Sequence, residues 1–345
     1  MTALQLQGLT KTYPGRARAA VDGLDLAIES GTLTALLGPS GCGKTTTMKL
    51  VAGLLAPDAG DIRLDGQSIR DLAPERRGVA MVLQNPLLFP HLSVAGNVGF
   101  GLRMRGLAPA EIAARVGPML ARVQLDGFGP RPPAQLSGGQ QQRAALARAL
   151  ILQPRVLLLD EPLSSLDPSL RDEMQRLIRS LQRETGITTL VVTHDQAEAV
   201  ALSDRIALML DGRLAQHAPP EDLYRHPATE AVARFFGGVN LIPGQSQDGR
   251  FRSALPALTL PPGAPSGDRL LTIRPEAIVL GDGPNRLAAR VVSVTFLGTQ
   301  TRVALDVNGV SLQALTNPAT APTRGDLIQV SLPPQALWLM PRPKP

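Results

Sequence analysis

The stretch "GPSGCGKTT", Gly38 to Thr46, constrains this chain more than any other. It fits the pattern G-x-x-x-x-G-K-[ST], between the apolar run "TLTALLG" and a segment with Met48, Val51, Leu54 and Leu55 at helical spacing. Strand, glycine loop and helix in that order make a phosphate cradle. Gly38, Gly41 and Gly43 let the backbone curl so that its amides point inward, and the helix beginning near Lys44 adds its positive end. In such a loop Lys44 contacts the β- and γ-phosphates, Thr45 ligates Mg²⁺ and Thr46 meets the α-phosphate. Gly53 weakens the helix slightly, and "APDAG" ends it.

A cradle of this kind needs strand ends beside it, and the later sequence supplies them. "RVLLLDE", "DPSLRDEMQRLIRSLQRE", "ITTLVVTHD" and "DRIALMLDG" alternate strand and helix, and the continuous apolar runs "VLLL" and "TTLVV" suit a parallel sheet covered on both faces. Asp160 ends one strand, at the sheet edge where nucleotide and metal belong, leaving Glu161 to polarise a water. Taken alone, the pair is also an ordinary acidic strand end. His194 follows a second strand, and is either a surface or capping residue or a sensor hydrogen-bonded to the γ-phosphate. Asp167-Pro168 reads as an N-cap and first helical residue.

Between Pro86 and Ala134 the signals change to helices with breaks, and "APAEIAARVGPMLARVQL" is amphipathic but interrupted at Gly117-Pro118. Beyond about Gly237 the character shifts again. Pro256 to Asp268 is a Pro-rich connection, and "TRVALDVNGVSLQALT" is a hairpin. Its Asn308-Gly309 turn sets Val303, Leu305 and Val307 opposite Ala314, Leu312 and Val310. The expected division is 1–236, with a helical part at about 86–156, and 237–345.

Composition excludes several classes. With 43% hydrophobic and 19% charged residues among 345, the chain is folded rather than disordered. No run approaches the roughly 18 apolar residues that cross a bilayer, and the N-terminus lacks a basic-then-apolar leader, so a cytoplasmic protein is expected. A single cysteine, Cys42, excludes an internal disulfide and a multi-cysteine metal site. The net charge of +6 comes mostly from scattered Arg, without the dense basic run that would indicate nucleic acid as a partner.

"QLSGGQQQRAALARAL", Gln135 to Leu150, offers a second cradle: Ser137, Gly138 and Gly139 stand where a helix begins, and their amides attract an anion. An ordinary N-cap explains Ser137 but not two glycines, which cost helix stability.

"GPSGCGKTT", "QLSGGQQQR", "VLLLDE", "LSSLD" and "VVTHD" together resemble, in order and spacing, the ATP-binding subunits of ABC transporters, across essentially the whole chain. The resemblance implies an α/β P-loop NTPase core with an antiparallel β subdomain and a helical insert, followed by a small all-β OB-like (TOBE) domain. It implies ATP bound by Tyr13 against adenine and by the loop Gly38, Pro39, Ser40, Gly41, Cys42, Gly43, Lys44, Thr45 and Thr46, with Mg²⁺ held by Thr45, Gln84 and Asp160. Glu161, His194, Lys44 and Gln84 are the implied catalytic group. Ser137, Gly138, Gly139 and Gln140 would contact the ATP of a second copy in a head-to-tail homodimer, and Asp167 would touch that copy. Residues 85–97 would receive a short helix from one of two membrane permease subunits, exposing Leu87, Leu88 and Phe89. An extracytoplasmic solute-binding protein completes the implied importer, with this chain peripheral on the cytoplasmic face of the inner membrane. The tail points to polyamine, ferric iron or small anions before sugars. A soluble ABC ATPase would need coiled-coil arms or tandem units, and a regulatory ligand of the tail would need an anion constellation. The insertion in "YPGRARAAVDGL" departs from the family around the adenine.

Overall fold

The computed structural model describes residues 2–164 and 166–342. Residues up to Pro220 form one compact unit and those from Glu221 another. In the first, the strands are β1 (Thr2–Lys11), β2 (Val21–Glu29), β3 (Leu33–Leu37), β4 (Ala59–Leu64), β5 (Gln67–Ser68), β6 (Val79–Val82), β7 (Val156–Asp160), β8 (Thr188–Thr193), β9 (Arg205–Leu210) and β10 (Arg213–Ala218). Among the described residues they form a four-stranded antiparallel sheet, β2-β1-β4-β5, and a six-stranded sheet, β10-β9-β3-β8-β7-β6. In the latter every pairing is parallel except that of β10 with β9. Every residue of β3 and β8 is buried, so their apolar runs reflect burial on both faces. One core, including Leu4, Leu36, Met48, Leu158 and Val192, joins the two sheets.

The helices are α1 (Lys44–Ala52), α2 (Val94–Val98), α3 (Phe100–Met104), α4 (Pro109–Arg122), α5 (Gly138–Leu150), α6 (Pro168–Thr185) and α7 (Gln196–Leu202). Two differ from expectation. Gly53 does not merely weaken α1 but ends it: its φ of 80° is left-handed, and its amide returns to Leu50 and Lys49. Helix α4 runs unbroken through Pro118, because Gly117 and Pro118 are exposed, leaving the carbonyl that loses its partner to water.

The second unit carries α8 (Pro220–Arg225), α9 (Glu230–Phe235) and the strands β11 (Asn240–Gln247), β12 (Arg250–Arg252), β13 (Leu258–Thr259), β14 (Gly267–Ile273), β15 (Val279–Leu280), β16 (Arg286–Phe296), β17 (Thr301–Val307), β18 (Val310–Thr316), β19 (Leu327–Ser331) and β20 (Trp338–Pro341). Among the described residues, two five-stranded antiparallel sheets, β13-β12-β11-β14-β20 and β15-β19-β16-β17-β18, share a core with Phe251, Leu271, Leu305 and Val330. The β17–β18 hairpin pairs Val303 with Ala314, Leu305 with Leu312 and Val307 with Val310, across Asn308 and Gly309 at positive φ. The Pro-rich connection is not simply a linker: it contains β13 and buries Leu258 and Leu260 in that core.

The compact division at 220/221 precedes the compositional shift at 236/237. Residues 221–236 are hydrogen-bonded to later parts of the second unit: Arg274 donates to the carbonyl of Phe236 at 2.9 Å, and Trp338 to that of Pro227 at 2.9 Å.

Candidate functional site

The loop between β3 and α1 closes tightly on its surroundings. A Cβ on Gly38 would lie 2.2 Å from the carbonyl oxygen of Met209, and one on Gly43, at φ 101°, would lie 2.1 Å from that of Ala20. Neither position admits a side chain. The buried Lys44 ammonium donates to the carbonyls of Gly38 at 2.7 Å and Pro39 at 2.9 Å. Together with Ser40, Gly41, Thr45 and Thr46 it lines a cleft of about 880 Å³. Tyr13 faces the same cleft, its hydroxyl 3.2 Å from that of Thr46. The unexpected insertion contributes Arg16 and Arg18 to the wall. Cys42 is buried and burial pushes its thiol up, so its place in the loop does not make it a ready target for thiol reagents.

Glu161 also lines the cleft. It follows directly on β7 with a φ of 45°, a left-handed conformation uncommon for a residue with a side chain, and its amide is held by the carbonyl of Val192 at 3.0 Å. Strand ends β7 and β8 thus meet, and His194 Nδ1 lies 3.0 Å from Glu161 Oε1. Burial, then the neighbouring charge of Glu161, pushes the Asp160 carboxyl above the ordinary range, while Lys49 and Lys44 pull it down. Gln84 does not line the cleft; its Nε2 donates to the Ser164 hydroxyl at 2.9 Å, which donates to the carbonyl of Glu161 at 3.0 Å. Ser164 is a link the sequence reading missed, because nothing in "LSSLD" marks its partner. Ser165 of that stretch lies outside the described residues.

The remaining candidates stand away from this cleft: none of Ser137, Gly138, Gly139, Gln140 or Asp167 lines it. Ser137 caps α5 in a reciprocal box, accepting from the Gln140 amide at 3.3 Å and donating its own amide to Gln140 Oε1 at 3.0 Å. A Cβ on Gly138 would meet open space, and one on Gly139 only ordinary contacts at 3.8 Å and beyond. Asp167 caps α6, and the Leu170 amide leads in lowering its carboxyl below the usual range.

Of the three residues expected to be exposed beyond Gln84, only Leu87 is, at 65%; Leu88 and Phe89 are partly buried, Phe89 by Phe100 at 4.6 Å between ring centres. Two further residues fix this segment. Asn97, wholly buried, accepts from the Phe89 amide at 2.7 Å and donates to the carbonyls of Phe89, Leu92 and Ser93, and Arg148 donates to those of Pro86 and Leu87.

A family model described as ABC transporter matches residues 21–164, and one described as TOBE domain matches residues 271–340. The chain is 45% identical over 371 residues to the spermidine/putrescine import ATP-binding protein PotA of Frankia alni, spanning 99% of this chain and 80% of that one. It is 42% identical over 340 residues to the Fe(3+) ions import ATP-binding protein FbpC of Escherichia coli K12, spanning 98% of this chain and 97% of that one. The chain belongs to the ABC transporter family. Two solved ABC structures resemble it. CbiO1 of Clostridium perfringens, part of an ABC transporter complex, aligns at a TM-score of 0.60 and 33% identity, over 64% of this chain and 90% of that one. A dimeric ATP-binding cassette in a post-hydrolysis state, bound to ADP and Pi, aligns at 0.57 and 31%, over 63% and 98%. This ABC subunit is an ATPase coupled to transport, its ATP-binding region followed in sequence by a TOBE domain. Among the described residues, no helix is long and apolar enough to cross a membrane.

Proposed function

We propose that this ABC subunit powers import of a polyamine or ferric iron through two permease subunits supplied by an extracytoplasmic binding protein, working as a head-to-tail dimer on the cytoplasmic face of the inner membrane. The names of its relatives support the solute classes. Each ATP is shared: Tyr13 and residues 38–46 of one copy hold it, and Ser137, Gly138, Gly139 and Gln140 of the other close on its γ-phosphate, with Asp167 against the first copy. The observation that carries the sharing is the glycine pair opening α5. No contact among the described residues requires Gly138 or Gly139 to lack a side chain, whereas close approach of an outside phosphate does.

At the first loop, Lys44 exchanges its bonds to the Gly38 and Pro39 carbonyls for phosphate oxygens, neutralising charge that builds on the transferring group. Thr45, which lines the cleft, and Asp160 and Gln84, which stand outside its wall, would supply a hydroxyl, a carboxylate and an amide oxygen. This all-oxygen set fits Mg²⁺, and the raised Asp160 marks a carboxylate better stabilised beside a cation. Bound there, Mg²⁺ would offset phosphate charge. Glu161, held in its left-handed turn, orients or deprotonates the attacking water, and His194 steadies Glu161 while reporting on the γ-phosphate.

Glu161→Gln tests this reading. With saturating ATP it should hydrolyse at least about a hundredfold more slowly and elute as a dimer. A variant that remains monomeric, or turns over normally, contradicts it. Uptake of labelled putrescine and of ferric iron by cells with and without the gene separates the two solutes.

A further inference from the structure

Two charged groups that act on one another each keep a buried polar atom unpaired, although the Arg171 side chain as a whole is 36% exposed. Glu198, on α7, is 5% exposed; its Oε2 accepts from the Thr193 hydroxyl at 2.7 Å, while its buried Oε1 has no partner. Arg171, on α6 four residues beyond Asp167, has a buried Nε with no partner. Its other nitrogens make only loose contacts, 3.4 Å to the carbonyl of Leu166 and 3.8 Å to Asp195 Oδ2. A buried acceptor and a buried donor left unpaired are each costly, and such atoms are ordinarily satisfied in some state of the molecule.

The connections on either side lead to the proposed catalytic and dimer-contact groups. The Thr193 hydroxyl that donates to Glu198 accepts the Asp195 amide at 3.0 Å, so Glu198 fixes both ends of the turn carrying His194. Asp195 Oδ1 in turn accepts from the Ala197 and Glu198 amides, starting α7. Arg171 reaches the carbonyl of Leu166, next to Asp167, at only 3.4 Å. The charged groups acting on Glu198 are Asp195 on its own turn, Glu161 at the end of β7 and Arg171 on α6; the two carboxylates raise its pKa and the guanidinium lowers it, on top of burial, which raises it most.

We infer that Glu198 and Arg171 are positioning residues that close into an ion pair when the loop carrying Asp167 docks on a second copy, transmitting dimer closure to His194. The inference rests on the head-to-tail reading. Closure completes both orphaned atoms and stiffens the turn that holds His194 against Glu161. Neither residue lines the cleft, so their removal acts on turnover rather than on nucleotide affinity.

The test is a double-mutant cycle in the full chain, measuring kcat and KM for ATP across pH 6–9 with Glu198→Gln, Arg171→Ala and the pair. Each single variant should lower kcat about tenfold at pH 8 with KM within about twofold, and the pair should be no slower than the worse single. Arg171→Lys, which keeps the charge, should recover part of the loss. The Glu198→Gln deficit should shrink toward pH 6, where protonation already neutralises Glu198 in the parent protein. Losses that multiply in the pair, a deficit independent of pH, or a Glu198→Gln rate within about twofold of the parent's would overturn the inference. ATP-driven dimerisation of Glu161→Gln is measured alongside: its absence sinks the head-to-tail reading, whereas dimerisation with multiplying losses sinks only the ion pair.

Discussion

Glu198 also sets a stability signature of its own. Burial, the largest cause, lifts its pKa from 4.5 to about 7, so the folded chain holds a proton that the unfolded chain gives up at lower pH. The neutral form's advantage is present in full below about 4.5, declines as pH rises toward 7, and is gone above it. Glu198→Gln cannot ionise, and its melting temperature relative to the parent should be about 3 °C more favourable at pH 8 than at pH 5. Thermal melts at the two values check this, and an equal offset at both refutes it. Residues of this kind were invisible in the sequence. Lys44, Asp160, Glu161 and His194 stood out because a loop pattern and strand ends fix where they must lie. Ser164 acts through Gln84, 80 residues away, whereas Asn97, Arg171 and Glu198 bond within eight residues but in irregular turns whose burial no local spacing announces.

At the scale of elements, caps separate shape from contact. Asp167 accepts the Leu170 amide at the head of α6, and Asn caps about as well as Asp while Ala does not. Asp167→Ala should therefore lose about 1 kcal/mol of stability, and Asp167→Asn almost none. If its carboxylate also meets a second copy, both variants should show reduced cooperativity of hydrolysis with respect to ATP; a parental Hill coefficient for Asp167→Asn limits the residue to capping. Elements with a dominant local signal were the legible ones. Buried strands β7 and β8 announced themselves by unbroken apolar runs, and the β17–β18 register followed from the two positive-φ residues at its turn. Helix α4 was misjudged at Pro118 because sequence does not reveal that the orphaned carbonyl faces solvent, and β13 was missed because two paired residues carry no periodicity.

On the scale of the molecule, the two units have separate cores: Phe251, Leu271 and Val330 belong to one, Leu36, Met48 and Val192 to the other. Phe251→Ala removes a wholly buried ring and should cost the second unit about 3–5 kcal/mol. Calorimetry should then resolve an early transition that leaves ATP hydrolysis intact up to the later one; a single transition moved as a whole would mean the cores unfold together. Composition changes near the first long strand of the tail, whereas the second compact unit begins at Glu221. Separate interiors leave each unit free to drift: replacements that reshape the β-rich tail need not disturb how phosphate is gripped.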